Sequence, residues 1–116
     1  MDGQYLPMSG AKISVLDWGF LHSDATYDTV HVWTGRIFRL DLYLDRFLGG
    51  VERLRMKPPY YREKIASILK DCVALSGYRS AYVEMIARAD HHRHSVAISP
   101  SGEPLHRVSR CASMLD

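Results

Sequence analysis

The chain has 116 residues, 47% of them apolar and 24% charged, which suits one small domain with a real core. Its 15 basic and 13 acidic side chains leave a net charge of +2, too balanced for nucleic-acid binding through bulk charge. No apolar run approaches the roughly 20 residues that span a bilayer, and no basic stretch leads into an apolar one at the N-terminus, so neither a membrane span nor a secretory signal is expected.

Lys12 to Leu16 alternates weakly and predicts a short strand, closed by a turn at Asp17-Trp18-Gly19. Ser23 and Asp24 are good N-cap types, so one helical turn is expected over residues 23–27. Thr29 to Trp33 is β-branched and aromatic, as strands prefer. Thr34-Gly35 then makes a two-residue turn into a returning strand over residues 36–39. Asp41 is expected to cap the next element. There Leu44, Phe47, Leu48, Val51 and Leu54 recur at helical spacing, predicting an amphipathic helix near residues 41–55.

Pro58-Pro59 ends the connection. A second helix is expected over residues 61–76, with the stripe Ile65, Ile68, Leu69 and Cys72 and with Gly77 as its stop. Ser80 to Arg88 returns to strand. Ala81, Val83, Met85 and Ala87 share one face there, and Tyr82, Glu84, Ile86 and Arg88 the other. After Ala89 the chain turns polar, and Pro100, Gly102 and Pro104 break any long element. Residues 1–89 are therefore expected to form the domain and residues 90–116 a weakly specified tail, with one short strand at Val96-Ala97-Ile98. The fold class is α+β: an antiparallel sheet with two helices packed on one face. Cys72 falls on an apolar stripe and Cys111 in the tail, so no disulfide is expected and a reducing cytoplasm fits.

Few residues carry chemistry. Arg46 points away from the apolar stripe of its helix, and Gly49 and Gly50 lie beside it, three and four residues on. Two glycines inside a helix cost about 1 kcal/mol each, a cost that close approach of another chain or a ligand would explain. A guanidinium with cleared space around it suits a phosphate, although a solvated arginine on an exposed face fits the same pattern. His22, Ser23, Asp24, Tyr27 and Asp28 are dense in hydrogen-bonding groups, and line a pocket or cap a turn. A triad from the adjacent Ser23, His22 and Asp24 is not expected, since neighbours on a chain rarely meet in that geometry. His91, His92 and His94 lack a well-spaced acidic or cysteine partner, so no metal site is expected.

The string GF-x-HSD-x-TYD-x-x-x-VW, from Gly19 to Trp33, is followed by a glycine turn, Phe38-Arg39-Leu40 and the arginine helix. This order resembles the N-terminal domain of class IV (fold-type IV) pyridoxal-phosphate aminotransferases, and within them the (R)-selective amine transaminases and branched-chain aminotransferases. The likeness covers about residues 4–88. It implies amino transfer between an amine or amino acid and a keto acid, with pyridoxal phosphate as cofactor.

Residue by residue, Leu44-Asp45-Arg46-Phe47 is similar to the family's LxRL, with Phe47 for the last leucine, so the resemblance gives Arg46 the cofactor phosphate. It gives His22, Tyr27, Tyr82 and Glu84 the substrate pocket. Family members hold the cofactor as an imine on a lysine. None of Lys12, Lys57, Lys64 and Lys70 matches that position. The family's TRG at the strand end reads Ala87-Arg88-Ala89 here, and the chain then departs from the pattern. The expectation is a fragment that is inactive alone, does not bind pyridoxal phosphate stably, and forms a homo-oligomer through apolar surface. The alternative is a non-catalytic remnant or a small self-associating interaction domain.

Overall fold

The computed structural model describes residues 4–89, 94–101 and 112–115. A two-residue strand, β1 (Tyr5–Leu6), and a single helical turn, α1 (Trp18–Leu21), precede the main body. The tightest turn follows at Thr34-Gly35, where both residues take positive φ, 50° and 77°. That pair of angles matches the twist of the flanking strands and closes a hairpin. β2 (Ala25–Trp33) and β3 (Arg36–Ile37) pair antiparallel across it, Val32 opposite Ile37.

Two helices come next in the chain, α2 (Leu40–Arg53) and α3 (Arg62–Ser76), and then β4 (Ala81–Ala89). β4 pairs with β2 along its length, from Ala25 opposite Arg88 to Val32 opposite Ala81. β5 (His94–Ser101) pairs with β4, and β6 (Ala112–Leu115) with β5. β1 closes the far edge against β6. The six strands form one antiparallel sheet in the order β1-β6-β5-β4-β2-β3.

Period-2 alternation sorts the side chains. Val30, Val32, Ala81, Val83, Met85 and Ala87 are buried on one face. α2 lies over β2 there, and α3 over β5 and β6. Leu44, Phe47 and Val51 of α2 join Ile65, Ile68, Leu69 and Cys72 of α3 in a single core. Truncating a side chain as buried as Phe47 costs about 3–5 kcal/mol. Gly77, at φ 71°, stops α3 and returns its N–H to the carbonyl of Ala74. The α+β class, the antiparallel sheet and the two helices on one face are as the sequence predicts.

The N-terminal quarter differs. Residues 12–16 form no strand; Val15 and Leu16 are exposed, and no described strand pairs with them. The helical turn lies earlier than the cap types at residues 23 and 24 suggest. It is α1, where Asp17 accepts a hydrogen bond from the Phe20 amide. Ser23 takes φ 60° after that helix, and β2 starts at Ala25, four residues sooner than expected, because Arg88 pairs with it. α2 begins at Leu40 behind a left-handed Arg39, so Asp41 sits in the first turn, where its charge favours the helix dipole. The second hairpin strand stops at Ile37. Leu54 is exposed beyond the end of α2, and Met56 is buried instead. The expected strand at Val96–Ile98 lies within the longer β5.

Candidate functional site

β3 covers only Val32 and Trp33, so along residues 25–30 no described strand flanks the outer side of β2. α2 runs beside this stretch. Gly50 makes the approach possible: a Cβ there would lie 3.1 Å from Thr26 Oγ1. A Cβ at Gly49 would meet nothing within 4 Å. Close approach of another element thus accounts for Gly50, whereas Gly49 faces open space.

Between helix and strand lies a cleft of about 330 Å³, with Arg46, Arg53, Asp28 and Tyr27 among its walls. Asp28 is the one charged residue on the inward face of β2, and its side chain is only 8% exposed. Arg46 reaches it with two parallel bonds, Nε to Oδ2 at 2.7 Å and Nη2 to Oδ1 at 2.5 Å. The Thr29 amide donates to Oδ1 at 2.8 Å. The guanidinium also sits over the Tyr43 ring, 4.9 Å from its centroid. Arg46 is nevertheless 67% exposed. Its pKa is raised, first by the hydrogen bond to Asp28 and then by that carboxylate's charge, so it stays cationic throughout.

The other expected site residues lie on the opposite face of the sheet. Tyr27 is opposite Ile86, Thr29 opposite Glu84, and His31 opposite Tyr82, all on that side. Tyr27 and Tyr82 are exposed, and the His31 ring stacks on Tyr82 at 5.0 Å. Tyr27, Tyr82 and Glu84 therefore share one surface. Tyr27 alone also lines the Arg46 cleft, because it stands at the uncovered end of β2.

His22 closes α1, its ring edge-on to Trp18 at 5.5 Å. α1 lies on this second face, tied down by an ion pair between the buried Asp17 and the half-buried Arg88. A Cβ at Gly19 would come within 2.7 Å of Arg88 Cβ. Sequence reading missed both arginine–aspartate pairs. Asp28 and Arg46 are 18 residues apart on different elements, with no local signal linking them. Asp17 before an apolar tetrapeptide was a readable cap signal.

None of the four lysines lines the cleft; Lys70 borders a separate groove of about 580 Å³ beside the end of α3. Among the described residues no cluster of three His, Cys, Asp or Glu is placed to hold a metal. His91, His92 and Cys111 lie outside the described residues. Among the described residues no helix is long and apolar enough to cross a membrane.

Comparison with known proteins matches residues 25–110 to the amino-transferase class IV family. The D-alanine aminotransferase of Staphylococcus aureus is 23% identical over 106 residues, 90% of this chain and 37% of that protein. The fold is that of the T.th. branched-chain amino acid aminotransferase complexed with N-(5'-phosphopyridoxyl)-L-glutamate, at TM-score 0.75 and 24% identity. That match covers 100% of this chain and 39% of that one. The branched-chain aminotransferase of Thermoproteus uzoniensis gives a TM-score of 0.68 at 15% identity, over 96% of this chain and 39% of that one. The chain spans less than two fifths of the length of these relatives.

Proposed function

This chain belongs to the class IV aminotransferases, and from that premise we propose that it is the phosphate-gripping lobe of a pyridoxal-phosphate-dependent aminotransferase. Such an enzyme moves an amino group between an amine or amino acid and a keto acid, and the cofactor supplies the electron sink for that chemistry. The observation that carries the reading is Arg46: cationic, held at a cleft, and still largely exposed. Gly49 leaves the space beside it open.

The residues fit one end of the cofactor only. Arg46 suits its phosphate, but no lysine stands in the cleft for covalent attachment. The 116 residues by themselves therefore do not transaminate. On the other face, Tyr27, Tyr82 and Glu84 contribute the substrate side, with His22 at its margin. The exposure of His22, Tyr27 and Tyr82 supports a surface that a further domain or a second copy covers, and a homo-oligomer is part of the reading.

Two measurements test this. Pyridoxamine 5'-phosphate should bind more tightly than pyridoxamine, and Arg46→Ala should erase the difference; equal binding would sink the phosphate assignment. Borohydride reduction after incubation with pyridoxal phosphate, followed by mass mapping, should give low, scattered labelling of Lys12, Lys57, Lys64 and Lys70. Stoichiometric labelling of one lysine, with amine-dependent turnover lost on its replacement, would overturn the expected inactivity.

A further inference from the structure

We propose that Asp28 is a positioning residue: it fixes the Arg46 guanidinium so that the edge left free is presented, pre-oriented, to a phosphate monoester. The proposal rests on the reading of Arg46 given above. A carboxylate on the inward face of a strand is costly to bury unless fully compensated. Here three donors compensate it: Arg46 Nε, Arg46 Nη2 and the Thr29 amide. The two arginine bonds form a fork along one edge of the guanidinium. They leave Nη1, and the second hydrogen of Nη2, as another fork along the next edge. The Tyr43 ring restrains the guanidinium from its face. An exposed arginine ordinarily samples many rotamers and loses that freedom on binding. Arg46 is exposed yet held at edge and face, so less freedom remains to be lost when an anion arrives.

Simple charge arithmetic makes the opposite forecast. Asp28 contributes a negative charge beside the cleft, so removing it should strengthen anion binding. The sign of the effect therefore decides between an orienting carboxylate and one that merely competes for the arginine.

The experiment compares the full chain with Asp28→Asn, Asp28→Glu and Arg46→Ala at low ionic strength. Each is titrated by NMR with pyridoxamine 5'-phosphate and with pyridoxamine, which lack the aldehyde that would label lysines. Asp28→Asn should lower the preference for the phosphorylated ligand roughly tenfold, the low end for loss of an orienting partner. Binding of pyridoxamine should not change, and Asp28→Glu should restore part of the preference. An unchanged or increased preference in Asp28→Asn overturns the proposal. If that preference also vanishes in Arg46→Ala, the phosphate assignment stands and only the role of Asp28 falls. No preference in the unmodified chain overturns both. Should Asp28→Asn fail to fold, the Arg46 Nε–H resonance of the unmodified chain decides. Slow exchange with solvent at neutral pH is expected, and exchange as fast as that of the other exposed arginines overturns the proposal.

Discussion

The two faces of the sheet each carry one buried aspartate paired to an arginine, and the pairs differ in how much of the arginine remains outside. Under α1, Arg88 and Asp17 are both nearly sealed, 12% and 2% exposed. Beside α2, Asp28 is sealed while Arg46 stays mostly in solvent. The first pair uses up its arginine to hold a short helix on the sheet. The second uses one edge and leaves the rest available. The same two residue types thus make a clamp in one place and a presented cation in the other, and burial of the arginine separates them.

Stability measurements in urea should divide the two sites. Arg88→Met leaves the Asp17 carboxylate enclosed without its counter-charge and should cost about 3–5 kcal/mol; a loss below about 1 kcal/mol, the range of exposed pairs, would mean that this pair does not hold α1. Gly19→Ala tests the same region without touching charge. The added methyl meets Arg88 Cβ at 2.7 Å and Asp17 Oδ1 at 3.0 Å, so overpacking should cost about 1–3 kcal/mol. On the other side, Gly49→Ala meets nothing and should stabilise α2 by about 1 kcal/mol. Gly50→Ala should gain none of this, since Thr26 stands in the way. Arg46→Met takes two of its three donors from the sealed Asp28 carboxylate and should also destabilise the molecule, by less than Arg88→Met because the Thr29 amide still donates to it. Its effect should appear in ligand titrations as well.

The regular elements were legible because each repeats a local signal. The stripes of α2 and α3, the Thr34-Gly35 turn and the alternation of β4 all depend on neighbours within a few residues. Arg46 stood out for the same reason, lying off the stripe with two glycines beside it. The pairings that complete the site were not legible. Asp28 looked like one polar residue among five at a turn, yet it is the inward carboxylate of a strand whose start is set by Arg88 across the sheet. The weak alternation of Lys12 to Leu16 misled because no described strand lies there to pair with it. Tyr82 and Glu84 were correctly put on one face, and the stacking of Tyr82 on His31 needed the β2–β4 register to be seen.

The pairing of β1 with β6 bears on the order in which the molecule assembles. Tyr5 lies opposite Ser113, more than a hundred residues away along the chain. The β2–β3 hairpin closes over two residues and can form within microseconds. Closing so long a loop for two residue pairs gains little against its entropy, so this edge is assembled last. During synthesis Tyr5 and Leu6 wait for more than a hundred further residues to emerge before they can pair, and so short a pairing should open readily. Amide exchange at these two positions should report local fraying of the edge, while Val83 and Met85 of β4, a strand paired on both sides, should exchange only when the molecule unfolds as a whole.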